Sequence, residues 1–251
     1  MPKAANLATR RHKLGVELFT GSTRYFAVWI LAGIVLAAVV PLIVSQWRSI
    51  DISAWYIAAN VGKYFVAIVA GGYVFTLLPN IVAQGVTRRE IATAMGIFGL
   101  LWSLVIGVIV IAGFIGEHAL YSALDWTQAP QQSDEFHLVL GSFGQTLEFA
   151  ALYPLSYLLY FTAGALIGAA IYRADGGWLI LAPVIPITLA VDDAMSRVDT
   201  WGPAWLVQFV SGAFEDRNPW IVVAVALVVI AAGAWGTRRL IIGSPIRAKQ
   251  A

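Results

Sequence analysis

Residues Ala92–Gly116 read ATAMGIFGLLWSLVIGVIVIAGFIG, a run of 25 residues without one ionisable side chain. About 20 apolar residues in a helix cross the hydrocarbon core of a bilayer, so this run predicts a transmembrane helix. Five further apolar runs accompany it, and the chain is 59% hydrophobic and 12% charged. A soluble domain carries about 25% charged residues. The sequence therefore predicts an all-α membrane protein with one transmembrane domain over residues 1–251.

Six spans follow from these apolar runs. They are Tyr25–Val44, Val61–Gln84, Ala92–Gly116, Leu147–Tyr172, Gly177–Met195 and Trp220–Thr237. Twelve lysines and arginines lie in the N-terminal segment, in the gaps after the second and fourth spans and in the C-terminal tail, whereas the other gaps hold three. Basic residues accumulate on the cytoplasmic side of membrane proteins. We therefore expect both termini in the cytoplasm, which an even number of spans permits.

Two segments outside the spans carry mixed patterns. Residues 12–24 alternate apolar and charged side chains and predict an N-terminal amphipathic helix at the inner leaflet, the elbow helix, with a disordered basic tail as the alternative. Residues 196–219, before the sixth span, contain the apolar stretch Trp201–Val210, which is too short to cross. It predicts an external re-entrant segment or, equally, an external amphipathic loop helix.

The gap after the second span has the sequence of a capped turn, with residues 85–91 reading GVTRREI. Gly85 can end a helix by adopting positive φ. Thr87 and Glu90 have the spacing of a capping box, which predicts that a new short helix begins here. Arg88 and Arg89 suit anionic lipid and would also suit acidic residues of a docked protein.

The stretch Leu77–Ile91, LLPNIVAQGVTRREI, resembles the cytoplasmic turn between the second and third spans of type 2 ATP-binding-cassette (ABC) exporter permeases. Those permeases often carry a Gly-Val-Thr/Ser-Arg-Arg stretch there. Their pattern also includes an elbow helix, six spans, cytoplasmic termini and a re-entrant hairpin before the sixth span. The resemblance implies a coupling helix that docks on the ATPase subunit. Its residues would be Gly85, Val86, Thr87, Arg88, Arg89 and Glu90.

The resemblance further implies a permease subunit that works beside a second copy or a paralogue. The apolar interior of the spans favours an amphipathic or lipid-like cargo. Separate ABC ATPase subunits would bind ATP and Mg²⁺. The chain itself has no phosphate-binding loop, no His-Glu-x-x-His motif, no Gly-x-Ser-x-Gly motif and no cysteine. We therefore expect no catalytic, metal or cofactor site of its own, and no nucleic-acid partner. A bacterial plasma membrane is the expected location.

Ionisable residues within spans are by default candidates for function. Lys63 and Glu148 are both expected near the outer boundary, where an ion pair between them or snorkelling to water is favoured over a role in a substrate path. Asp192 and Asp193, at the outer end of the fifth span, are expected to be solvated.

Three tyrosines and two glycines mark faces of the fourth span. Tyr153, Tyr157 and Tyr160 share one helical face, which predicts ordinary aromatic packing or, as the alternative, a substrate path. Gly164 and Gly168 form a Gly-x-x-x-Gly pattern, which permits close approach of a second helix. Packing within the chain is favoured over a dimer seam.

Two other classes of function stay open. A secondary transporter needs an ionisable or broken-helix site near the membrane midplane. A non-transporting immunity or assembly protein needs neither that site nor an ATPase.

Overall fold

The computed structural model describes residues 7–132, 137–196 and 219–244. Within these ranges the chain forms long helices joined by short connections. The helices are α1 (Leu7–Val44), α2 (Ala54–Ala83), α3 (Arg88–Ala123), α4 (Phe143–Ala150), α5 (Tyr153–Arg173), α6 (Leu181–Ser196) and α7 (Pro219–Gly243), with a 3-10 turn at Gly177–Ile180 before α6. Between α3 and α4 the two-residue strands β1 (Gln131–Gln132) and β2 (His137–Leu138) pair antiparallel.

Six helical segments are long and apolar enough to cross a membrane. They are His12–Val44, Ala54–Ala83, Arg88–Ala123, Phe143–Arg173, Gly177–Ser196 and Trp220–Gly243. The predicted all-α architecture with six potential spans is thereby confirmed, although most helices extend beyond the predicted limits.

Two helices differ from the prediction in more than their end residues. No break separates residues 12–24 from the first span, because α1 is one helix of 38 residues. The fourth span is divided at Ala151–Leu152 into α4 and α5. Pro154 occupies the first turn of α5, where its missing N–H is not needed, so this proline begins a helix. The predicted re-entrant segment at 196–219 falls almost wholly outside the described residues.

Helix α5 is the centre of the bundle and packs most closely on α2. A Cβ added to Gly164 would overlap the Ala67 backbone, and one added to Gly168 would overlap Gly71. The Gly-x-x-x-Gly pattern therefore serves packing within the chain, as predicted. Phe98 and Trp102 of α3 add edge-to-face ring contacts with each other, and Phe98 makes another with Phe161 of α5.

The two ends of the bundle differ in charge. At one end, here called the basic end, Arg88 at the start of α3 contacts Ile242 near the end of α7, and Arg173 at the end of α5 lies beside Gly243. Leu14 of α1 and Ile241 of α7 border one small cavity there, so the first and last described helices share this end.

The opposite end, here called the Glu117 end, is closed by a buried carboxylate. Glu117 of α3 accepts hydrogen bonds from the Ser53 hydroxyl, the Trp55 amide and the Gln128 side chain. The Trp55 amide belongs to the first turn of α2, where a negative charge is stabilised by the helix dipole. This carboxylate thereby joins α2, α3 and the loop before α4.

Candidate functional site

The connection between α2 and α3 is a rigid turn of four residues, Gln84–Thr87. Gly85 has φ +79°, and its amide donates to the Val82 carbonyl at 3.0 Å while the Val86 amide donates to Ile81 at 3.4 Å. This pair of hydrogen bonds is the Schellman motif, which satisfies the last carbonyls of a helix. The predicted positive φ at Gly85 is confirmed.

Hydrogen bonds also cap the start of α3, as they cap the end of α2. The Glu90 amide donates to the Thr87 hydroxyl at 3.3 Å, and the Thr87 amide donates to the Glu90 carboxylate at 2.8 Å. The predicted capping box is confirmed. The predicted separate short helix at 85–91 is wrong, because Thr87 caps α3 itself, which continues without interruption to Ala123.

The two arginines of this turn have different surroundings. Arg88 is half-buried, and its guanidinium donates to the Ile242 carbonyl at 3.4 Å, near the C-terminus of α7. Arg89 is exposed. Glu90 is buried and serves the cap. Of the charged side chains predicted to meet a partner, Arg89 is therefore the one presented outward.

A buried ion pair joins α2 to α6. Lys63 Nζ lies 2.9 and 2.8 Å from the two carboxylate oxygens of Asp192, and the two side chains are only 2% and 3% exposed. The predicted Lys63–Glu148 pair is thus wrong, as are the snorkelling of Lys63 and the solvation of Asp192. Asp193 is also buried and engaged in contacts.

Tyrosines of α5 surround this ion pair. The Tyr160 hydroxyl donates to Asp192 at 3.2 Å, and Lys63 Nζ lies 4.9 Å from the Tyr153 ring centroid and 5.9 Å from that of Tyr160. Such cation–π contacts partly replace the lost hydration of the ammonium group. The Tyr153 hydroxyl is buried without a hydrogen bond among the described residues.

The other members of the predicted substrate path lie apart from the ion pair. The Tyr157 hydroxyl donates to the Ala59 carbonyl at 2.8 Å, a contact that the absence of a side chain at Gly62 permits. Tyr157 therefore packs α5 on α2. Glu148 is exposed on α4 and borders a groove of about 520 Å³ together with Leu152, Met195 and Trp220. The structure thus unites Lys63 with Tyr153 and Tyr160, and leaves Glu148 elsewhere.

Asp192 is the member of this charged cluster that the sequence does not reveal. Lys63 lies nine residues inside α2, about 13 Å along the helix at ~1.5 Å per residue. A buried lysine at that depth needs a carboxylate from a neighbouring helix. Asp192, four residues before the end of α6, satisfied that requirement. From the sequence alone, the nearness of Asp192 to the predicted outer end of the fifth span indicates contact with water, so the pair with Lys63 is not predicted.

Exposed Arg89 at the capped turn can recognise a negatively charged partner, and the Lys63–Asp192 ion pair links α2 to α6. Across residues 7–132, 137–196 and 219–244, no group of three potential metal ligands converges. His118 Nδ1 lies 3.1 Å from the Gln128 side-chain oxygen. Within the part of the chain that the structure describes, the capped turn at the basic end and the buried ion pair nearer the Glu117 end are the features from which a function can be proposed.

No protein-family model, curated protein or solved structure matches this chain.

Proposed function

We propose that this chain is the permease subunit of an ATP-driven ABC exporter. It resides in the plasma membrane of a bacterium with its basic end in the cytoplasm. A second copy or a paralogue completes the pathway, and separate ATPase subunits bind ATP and Mg²⁺. An amphipathic or lipid-like cargo suits the apolar surfaces of the spans.

The capped turn carries this proposal. Gln84–Thr87 joins two long helices through a Schellman motif and a capping box, so no flexible linker separates α2 from α3. A force applied to the turn is therefore passed directly into both helices. Arg89 is exposed there and can pair with an acidic groove on an ATPase.

The transport step follows from this linkage. When two ATPase subunits close around ATP, each pushes the turn that it holds. Helices α2 and α3 tilt as levers, and α5 follows α2 because the Gly164 and Gly168 contacts leave no space between their backbones. The Arg88 contact with Ile242 passes the same displacement to α7.

The substitution Arg89→Glu reverses the charge and is expected to weaken ATPase binding about tenfold or more, equivalent to roughly 1.4 kcal/mol. The measurement is co-purification in mild detergent of the tagged chain with its ATPase from the cells that express it, together with the rate of ATP hydrolysis. Arg238→Glu is the matched control, because Arg238 is exposed on α7 and undergoes the same change of charge. Equal retention of the ATPase by both variants, or equal loss, contradicts docking at the turn.

A secondary transporter is the second candidate, and the ion pair of Lys63 with Asp192 favours it. Ion-coupled carriers place ionisable groups within the membrane, and this buried pair lies between two potential spans. Uptake or efflux that is driven by an ion gradient in vesicles lacking ATP favours this candidate over the exporter.

A further inference from the structure

We propose that the bond between Lys63 and Asp192 is a gate that closes the transport pathway near the Glu117 end, with α6 as the moving element. This inference rests on the proposed transport function, since a gate requires a pathway. The Lys63–Asp192 geometry, the attachment of α6 and the cost of burying charge each support it.

The bond bridges two helices that otherwise scarcely meet. Helix α6 packs against α5 and α7 but makes little backbone contact with α2. The Lys63 side chain crosses the Tyr153 and Tyr160 rings of α5 to reach Asp192. Loss of this bond therefore weakens the link between α6 and α2 without disturbing the close packing of α2 on α5.

Among the described residues, the buried part of α6 lies towards one end of that helix. Its buried residues are Thr188 and the stretch from Val191 to Met195. Towards the basic end, Ile185 and Ile187 are exposed, and Pro186 removes one backbone hydrogen bond from the helix interior. Helix α6 is thus held near Asp192 and weakened one to two turns away, which is the construction expected of a hinged element.

The energetics of the ion pair suit a contact that opens and closes better than one that permanently stabilises the fold. Transferring two charges out of water costs several kcal/mol each, so a buried ion pair adds little stability compared with two apolar side chains. Its opening is favoured once water or a polar cargo enters and solvates both groups. The Tyr160 hydroxyl and the two tyrosine rings hold the closed arrangement in a single geometry.

Thiol labelling tests the gate, because the chain has no cysteine of its own. Thr188→Cys places a thiol one turn from Asp192 on the same face of α6, where the native side chain is 6% exposed. Ser103→Cys on α3, at a position that is 1% exposed, is the matched control. Intact cells are treated from outside with a membrane-impermeant methanethiosulfonate reagent.

With Lys63 and Asp192 intact, both thiols are expected to react slowly. Lys63→Met and Asp192→Asn should each accelerate labelling at position 188 on the order of tenfold, because the polar group left without its partner favours the solvated, open state. The apolar pair K63M/D192L should return labelling to the slow rate, because two apolar side chains gain nothing from contact with water. Labelling at position 103 should not change in any of the three.

Two results would overturn the gate. One is labelling at position 188 that stays slow in both Lys63→Met and Asp192→Asn. The other is acceleration at positions 103 and 188 together, which identifies the ion pair as a general fastening. ATPase co-purification from the same cells separates the two proposals. If the ATPase is bound but labelling at position 188 is unchanged, the gate alone is wrong. If labelling changes but no ATPase is bound, the exporter proposal is wrong.

Discussion

Replacing Gly164 and Gly168 together with alanine is expected to destabilise the bundle strongly. Each added methyl group would occupy the position of the α2 backbone at Ala67 or Gly71. Backbone atoms cannot move aside as a flexible side chain can, so α2 and α5 must separate along their shared length. Overpacking of a core commonly costs about 1–3 kcal/mol per site.

The matched control is Gly72→Ala, one residue from Gly71 on α2. A Cβ there meets nothing within 4 Å. Alanine is the better helix former by about 1 kcal/mol, so this variant should be as stable as the original chain or slightly more stable. The measurement is heat-induced loss of the monodisperse size-exclusion peak in detergent. The close packing of α2 on α5 is contradicted if the variant with alanine at 164 and 168 melts at the same temperature as Gly72→Ala.

Removing Lys63 alone should destabilise the protein more than removing the whole ion pair. In Lys63→Met the Asp192 carboxylate remains buried without its counter-ion, which costs about 3–5 kcal/mol. For a chain of this size that loss lowers the apparent melting temperature by roughly 10 °C. In K63M/D192L no charge remains, so most of the stability should return.

The same thermal assay measures this difference. Lys13→Met is the control, because Lys13 forms an exposed pair with Glu17 at 3.8 Å and exposed pairs contribute little. A double variant that melts as early as Lys63→Met would contradict the account, since it would mean that the charges themselves stabilise the fold. Recovery of stability together with a return to slow labelling at position 188 in K63M/D192L is the combination that the gate predicts.

Features that are local in sequence could be predicted. The absence of charge in Ala92–Gly116 specifies a span whatever surrounds it, and the spacing of Thr87 and Glu90 specifies a helix start. Gly164 and Gly168 indicate close approach because glycine has no side chain. The cap did not reveal how long the capped helix is, since a capping box is the same before a short helix and before α3.

Features that depend on the packing of distant helices could not be predicted. Three carboxylates in the sequence are candidate partners for Lys63, namely those of Glu148, Asp192 and Asp193. The placement of α6 beside α5 selects Asp192. Pro154 fits a kinked helix or the first turn of a new one, and the separation of α4 from α5 decides between them. The unequal exposure of Arg88 and Arg89 depends likewise on where α7 ends.

Photo-crosslinking at position 89 in living cells tests most directly whether an ATPase binds the turn between α2 and α3. A benzophenone amino acid replaces Arg89 in one strain and Asp51, exposed beyond α1, in a second. The account predicts a covalent adduct at position 89 with a protein that carries a phosphate-binding loop, and none with that protein at position 51. An adduct with that protein at neither position would contradict it, as would labelling of the variant Arg89→Cys by an impermeant thiol reagent supplied outside the cell.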